Sequence, residues 1–253
     1  MSDLPTGTIT LLFTDIEGST RLWEIYPDAM PAAIDRHDTI VRVAVERAGG
    51  VVFRTVGDAF FAAFADVAGA LAAALQAQRA LHAEPWEAIG LPCARVRTGR
   101  VVPLRVRMAL HTSAVELRGG EYFGPPLNRV ARLLAAAHGG QTLLCGDTVG
   151  ALRESLPDGV ALRDMGLHRL RDLQQPIQIF QLLTDDLAAD FPPLKTLTVI
   201  ETRPPSGVAL RQAKLPGMPA VDYDALWRQE QQQRERQRKR RRKARGEETD
   251  GLF

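Results

Sequence analysis

The chain has 253 residues, of which 45% are hydrophobic and 25% charged, a composition that indicates a globular protein with an apolar core and excludes a disordered or fibrous chain. Its apolar runs fall short of membrane-spanning length, and the two cysteines, Cys93 and Cys145, lack metal-binding or redox spacing. We therefore expect a protein of a reducing, cytoplasmic compartment.

Positive charge is concentrated near the end of the sequence. Residues 228–245 contain ten Lys/Arg against two Glu, so the rest of the chain is mildly acidic although the net charge is +2. A basic run of this kind is most often a solvated or disordered extension. Its functional alternative is weak contact with an anionic membrane or a nucleic acid, which would fade with salt.

The first predicted elements are a strand, a turn and the start of a helix, in residues 8–21. The strand is a run of β-branched and apolar residues with Asp15 at its end. Gly18 follows, and Ser19 and Thr20 are the expected N-caps of the helix. A carboxylate beside the N–H groups of a helix start suits a hard cation next to a phosphate, although an aspartate there can also simply cap a turn.

A β-hairpin is predicted for residues 51–64. Two apolar, strand-like runs flank Gly57-Asp58, which is a strong hairpin signal even though a type I′ turn favours the reverse order of such a pair. Asp58 is therefore either an ordinary hairpin tip or, if the hairpin pairs with the first strand, a second carboxylate beside Asp15.

The remaining elements follow from hydrophobic periodicity and from glycine and proline positions. Around the hairpin, the sequence predicts a helix broken near residue 27 (20–48), a helix (66–83), an irregular connection (84–103), a strand (104–115), a helix (125–138), a strand (141–145), a helix (147–155) and two strands (160–164 and 177–183). Strands interleaved with two long helices predict an α+β fold with helices on one face of a sheet. His111, on the strand at 104–115, is interpreted as structural.

Three separated motifs resemble the catalytic domain of the class III nucleotidyl cyclases, the adenylate and guanylate cyclases. They are residues 13–20 (Phe-Thr-Asp-Ile-Glu-Gly-Ser-Thr), 55–58 (Thr-Val-Gly-Asp) and 122–132 (Tyr-Phe-Gly-Pro-Pro-Leu-Asn-Arg-Val-Ala-Arg). The resemblance extends over roughly residues 7–184, and the order of three motifs is far more specific than any one of them. It implies a ferredoxin-like βαββαβ core with extra C-terminal strands.

The resemblance also implies a metal site and a phosphate site. Two Mg²⁺ or Mn²⁺ ions per site would be held by Asp15, Asp58 and the Ile16 carbonyl. The triphosphate would be cradled by a further set of residues, namely Gly18, Ser19, Thr20 and, more weakly, Arg171, which stands where the family usually has a lysine.

Catalysis and assembly are implied by the third motif. Asn128 and Arg132 are four residues apart and share a helix face. By resemblance the amide orients the ribose and the guanidinium neutralises charge that develops at the α-phosphate. Because the family combines the metal residues of one chain with the base and transition-state residues of another, a homodimer with two shared sites is expected.

Base selection is where the sequence departs from the family pattern. Arg54 replaces the family's adenine-reading lysine, and Glu121 replaces its aspartate partner. A cation and a carboxylate can satisfy adenine or guanine, but the usual guanylate pattern of glutamate and cysteine is missing, so ATP is favoured over GTP. The alternatives are a guanylate cyclase that makes cyclic GMP and a catalytically weak nucleotide-sensing module.

Two other classes of function are weaker alternatives. A diguanylate cyclase would share the fold and metal logic, but its Gly-Gly-Asp/Glu-Glu-Phe signature is missing, and a nucleic-acid-binding function depends on the basic run alone. The resemblance implies a catalytic domain over residues 1–186. Composition predicts a Pro-rich linker over 187–222 and a basic tail over 223–253 that is disordered or marginally helical.

Overall fold

The computed structural model describes residues 4–96, 99–152 and 156–200. In chain order its strands and α-helices are β1 (Gly7–Ile16), α1 (Ser19–Ile25), α2 (Met30–Arg47), β2 (Val51–Val56), β3 (Ala59–Phe64), α3 (Val67–Ala83), β4 (Ala94–Val96), β5 (Gly99–Val101), β6 (Val106–Arg118), β7 (Glu121–Phe123), α4 (Pro125–Ala136), β8 (Thr142–Cys145), α5 (Gly146–Ala151), β9 (Val160–Arg169), β10 (Ile177–Thr184) and β11 (Thr198–Ile200).

The main sheet contains the strand order β11-β9-β10-β8-β6-β1-β3-β2, and β7 pairs with the far end of β6. Within it, β6-β1-β3-β2 are antiparallel neighbours and form the ferredoxin-like βαββαβ core together with the intervening helices. Strand β8 joins β6 in parallel, and β10, β9 and β11 extend the sheet with antiparallel pairings. The predicted fold class is confirmed.

The sheet is covered on both faces. Successive strand residues point to opposite sides, so Leu12 of β1 packs in the core under α2 and α3, whereas Phe13 packs in the core under α4. The expectation of helices on one face is therefore correct for α2 and α3 and wrong for α4. Helix α4 buries Val130 and Leu133, two apolar residues at helical spacing, against the opposite face of the sheet.

The hairpin turn between β2 and β3 consists of Gly57 and Asp58. Val56 pairs with Ala59, so the loop has two residues. Gly57 has a φ of 58°, and Asp58 is not among the residues with positive φ. A positive φ at the first central position alone is the pattern of a type II′ turn, which explains why glycine comes first here.

Two local predictions differ from the structure. Helix α1 begins at Ser19, and Gly18 is its N-cap, in the left-handed region at φ 71°, with no side-chain cap. The expected capping roles of Ser19 and Thr20 are therefore wrong. The connection at 84–103 also contains a short 3-10 helix (Trp86–Ile89) and the antiparallel pair of strands β4 and β5. Trp86 is fully buried there and donates to the Leu81 carbonyl at 2.9 Å.

The chain stays packed against the sheet beyond the predicted domain limit at residue 186. Leu194 is buried in the core under α4, and β11 pairs with β9. Residues 187–200 of the predicted linker therefore contact the domain, whereas the rest of that linker and the basic tail lie outside the described residues. In the described part of the chain, no helix has the length and apolar character to cross a bilayer.

Candidate active site

The two aspartates of the predicted metal site lie at one end of the sheet. Asp15 is the second-last residue of β1, and Asp58 occupies the tip of the hairpin whose strand β3 pairs with β1. The Asp58 carboxylate accepts a hydrogen bond from the Ile16 N–H at 3.1 Å and a longer one from the Ser19 hydroxyl at 3.4 Å. The hairpin tip is thus tied to the turn that follows Asp15.

Arg107 is a site residue that the sequence analysis missed. It lies directly opposite Asp15 in the β1–β6 pairing. Its Nη2 and Nε donate to Oδ2 of Asp15 at 2.6 and 2.9 Å, and both side chains are about one quarter exposed. The alternation of β6 does place Arg107 on a defined face, but only the register with β1 brings it to Asp15.

Glu17 is a second missed residue, in the turn between β1 and α1. Its carboxylate accepts from the Gly139 N–H at 2.9 Å and contacts Lys195 Nζ, Arg105 Nη2 at 3.5 Å and His138 Nδ1 at 3.8 Å. Burial opposes ionisation of this carboxyl. The contacts with His138, Lys195 and the Gly139 N–H outweigh burial and hold the pKa of Glu17 well below its usual range.

The donor set at this strand end fits a hard divalent cation. The carboxylates of Asp15 and Asp58 and the carbonyl of Ile16 are oxygen donors, the type that Mg²⁺ and Mn²⁺ prefer. The hydrogen bond from the Ile16 N–H to Asp58 joins the two aspartate-bearing segments. These residues are therefore suited to hold the metal ions that the family uses.

The two predicted base-recognition residues are paired with each other. Arg54 Nη2 on β2 lies 3.1 Å from Glu121 Oε2 on β7, and both side chains are at least half exposed. The adjacent rings of Phe53 and Tyr122 pack edge to face with centroids 4.9 Å apart. Arg54 precedes Asp58 by four residues on the same hairpin, two of them along β2 to Val56 and two in the turn.

Helix α4 carries the predicted transition-state residues. Asn128 is exposed near its start, and Arg132 follows one turn later. Arg132 Nη2 lies 2.8 Å from Asp172 Oδ2, in the turn between β9 and β10 where Asp172 has a φ of 58°. Arg171 is exposed beside it. The structure thus brings Arg132 and Arg171 to neighbouring positions.

A separate cluster joins His111, Cys145 and Asp147, whose ligand-type atoms lie within 4.8 Å of one another. Burial and the Arg129 guanidinium lower the pKa of His111 to about 4, and burial raises the pKa of the Cys145 thiol. Arg129 also pairs with Asp147 at 3.3 Å. The positive charge of Arg129 beside the cluster opposes the binding of a metal ion. We therefore interpret the cluster as structural, in line with the expectation for His111.

Comparison with known proteins establishes the family. The model of the adenylate and guanylate cyclase catalytic domain matches residues 1–182, so the chain belongs to this family. An uncharacterised protein of Mycobacterium tuberculosis is 41% identical over 194 residues, which are 76% of this chain and 61% of that protein. An adenylate cyclase of Podospora anserina is 29% identical over 70% of this chain and 10% of its own length.

Solved structures agree with this assignment. Adenylate cyclases from Trypanosoma brucei, studied in their monomeric state, include one that superposes with a TM-score of 0.68 at 28% identity over 76% of this chain and 94% of that chain. The match with the mycobacterial relative spans about three fifths of that relative's length. The chain is thus a cyclase-family domain, similar over most of its length to proteins named adenylate cyclases.

Proposed function

We propose that the chain is an adenylate cyclase that converts ATP to 3′,5′-cyclic AMP and pyrophosphate. The observation that carries the proposal is the hydrogen bond from the Ile16 N–H to Asp58, which joins the two aspartate-bearing segments at one strand end. Family membership of residues 1–182 supports the same chemistry. The donor types favour Mg²⁺ or Mn²⁺, two per site in the family pattern.

The reaction forms a bond between the ribose 3′-oxygen and the α-phosphorus. The bond from that phosphorus to the pyrophosphate oxygen breaks, pyrophosphate leaves, and the proton of the 3′-hydroxyl passes to solvent water. The bound metal ions would supply activation of the hydroxyl and neutralisation of the departing charge. The turn at Gly18, Ser19 and Thr20 would cradle the phosphates with its N–H groups, and Arg171 would contact the terminal phosphates.

The residues of α4 would act on the sugar and the α-phosphate. The Asn128 amide would orient the ribose, and the Arg132 guanidinium would stabilise charge on the phosphate oxygens in the transition state. In the unliganded chain Arg132 is paired with Asp172. On substrate binding, the negatively charged phosphate would therefore have to replace the Asp172 carboxylate as the partner of Arg132.

A site shared between two chains is the family pattern, in which one chain supplies the metal residues and its partner supplies the base and transition-state residues. The Arg54–Glu121 pair lies on the surface of the chain, where both side chains are at least half exposed. Val56 and Phe123 flank that pair and are 60% and 45% exposed. Apolar side chains at such positions favour a covering partner, and we propose a homodimer with two equivalent sites.

Base selection is assigned to Arg54 and Glu121. Adenine offers an acceptor at N1 and a donor at N6, which a guanidinium and a carboxylate satisfy together. The pair is already in contact at 3.1 Å, so the two groups are close enough to face one base edge. Guanine can also be bound by this pair, and a guanylate cyclase is the second outcome that the experiment below distinguishes.

The test is product identity. Purified full-length protein is incubated with ATP or GTP and with Mn²⁺ or Mg²⁺, and the product mass is measured. Cyclic AMP is expected, and turnover should be lost in Asp15→Asn and Asp58→Asn but kept in the exposed-turn control Asp158→Asn. Cyclic GMP alone would replace the proposal with a guanylate cyclase. No cyclic product with any combination would leave a nucleotide-sensing module.

A further inference from the structure

A segment between β10 and β11 joins the predicted metal turn to the end of α4. We call this segment, residues 193–197, the strap. The carbonyl of Pro193 accepts a hydrogen bond from His138 Nε2 at 3.0 Å, and the Lys195 N–H donates to the Ala136 carbonyl at 3.1 Å. The strap is therefore fixed to the helix that carries Asn128 and Arg132 by its backbone, independently of its side chains.

The Lys195 side chain extends from the strap to Glu17. Lys195 Nζ hydrogen-bonds to one Glu17 carboxylate oxygen and lies 3.4 Å from the Ala137 carbonyl, while the Gly139 N–H donates to the other carboxylate oxygen at 2.9 Å. Glu17 and Lys195 are 178 residues apart in sequence. The carboxylate thus connects the strap, the end of α4 and the turn after β1.

Glu17 occupies the position between the proposed metal and phosphate residues. It follows Ile16, whose carbonyl is a proposed metal ligand, and it precedes Gly18, which begins the proposed phosphate turn. The Glu17 N–H donates to the Arg105 carbonyl at 2.9 Å. Backbone and side chain of Glu17 are therefore both held, and its side chain is only 18% exposed.

We propose that Lys195 is a positioning residue of the cyclase site, which holds Glu17 so that the Ile16 carbonyl and the Gly18 turn keep the geometry needed to bind metal and phosphate. The inference rests on the proposed function. It assigns a role to a segment that composition alone marks as linker. It also links the metal turn to α4, whose Arg132 serves the neighbouring site in a dimer.

A positioning role of Lys195 can be distinguished from a purely electrostatic effect of its charge. By charge alone, Lys195→Met would remove one positive charge near the site and would tighten cation binding, whereas Glu17→Gln would remove a negative charge and weaken it. If the contact acts by fixing the turn, both changes weaken cation binding, because each removes the ion pair between Lys195 and Glu17. The two accounts therefore predict opposite signs for Lys195→Met.

The experiment measures Mn²⁺ binding to full-length protein without nucleotide, from the electron paramagnetic resonance signal of free Mn²⁺. Lys195→Met and Glu17→Gln should each raise the Mn²⁺ dissociation constant about tenfold, as loss of an outer-shell partner does at other metal sites. Lys195→Arg should restore binding. Arg36→Met, which breaks the Arg36–Glu84 ion pair, is the matched control and should not change it, because this pair also joins a half-exposed cation to a largely buried carboxylate.

A double-mutant cycle completes the test. The double variant Lys195→Met/Glu17→Gln should bind Mn²⁺ no more weakly than either single variant, since the two changes remove the same Lys195–Glu17 contact. Unchanged or tighter binding in Lys195→Met, or additive losses in the double variant, would overturn the proposal. If Asp15→Asn binds Mn²⁺ as the wild type does, the metal assignment itself fails, and the positioning role falls with it.

Discussion

Arg107 on β6 faces Asp15 on β1 and donates two hydrogen bonds, at 2.6 and 2.9 Å, to one oxygen of its carboxylate. The proposed metal ligand is thus paired with a fixed positive charge in the unliganded chain. A cation that binds Asp15 must share its carboxylate with this guanidinium and meets the repulsion of a like charge a few ångströms away. Arg107 is therefore expected to weaken metal binding in the absence of nucleotide.

We predict that Arg107→Met binds Mn²⁺ more tightly than the wild type when nucleotide is absent. Removal of one positive charge at this range, partly screened by solvent, corresponds to a change on the order of tenfold in the dissociation constant. Free Mn²⁺ is measured by electron paramagnetic resonance, with Arg36→Met on α2 as an exposed control. Weaker binding in Arg107→Met would mean that the guanidinium instead holds Asp15 in its ligand geometry.

The second prediction tests the shared site. Asp58→Ala and Arg132→Ala should each be inactive as homodimers, because each removes one half of both sites. A mixture of equal amounts should recover about a quarter of wild-type turnover, since half of the dimers are then mixed and each holds one intact site. Turnover is followed as cyclic nucleotide formed per chain. Failure to recover activity, with mixed dimers confirmed by native mass spectrometry, would place the site within one chain.

The third prediction concerns base selection by Arg54 and Glu121. Arg54→Ala and Glu121→Ala should each lower kcat/KM for ATP by about 10- to 100-fold, the range for loss of a hydrogen bond to a charged group. The preference for ATP over GTP should also fall, because the hydrogen-bonding edge of adenine then lacks one of its two protein partners. Glu46→Ala, exposed on α2 over the opposite face of the sheet, is the control. An unchanged ATP/GTP ratio in both variants would remove these residues from base recognition.

Local patterns predicted the strand end, the hairpin and the helices. The apolar run before Asp15, the Gly57-Asp58 turn and the prolines that open α4 each encode their structure within a few residues. Turn residues and strand-ending carboxylates are therefore the part of the candidate site that sequence could reveal.

These local patterns do not predict contacts between residues that are far apart in sequence. Arg107 meets Asp15 across 92 residues and Lys195 meets Glu17 across 178. Neither pairing follows from periodicity, because it depends on how β6 aligns with β1 and on how the strap crosses the end of α4. Which face of the sheet α4 covers depends in the same way on packing between distant parts of the chain.

The last prediction follows from burial of His111. Burial and Arg129 lower its pKa from 6.5 to about 4, while Asp147 acts in the opposite direction and Cys145 hydrogen-bonds to the ring. The unfolded chain therefore binds a proton at His111 between about pH 6.5 and 4 that the folded chain does not. The free energy of unfolding must fall as the pH decreases through this window, by about 3 kcal/mol at most from this group.

Replacement of His111 by glutamine, which retains a hydrogen-bonding amide but does not titrate, should flatten that part of the profile. Urea unfolding of the wild type and His111→Gln at pH 7 and pH 4.5 measures the difference. The wild type should lose more stability than the variant on acidification, whatever the variant's stability at pH 7. Parallel profiles would show that His111 is protonated as readily in the folded chain as in the unfolded one, and the buried cluster would then have to open to water.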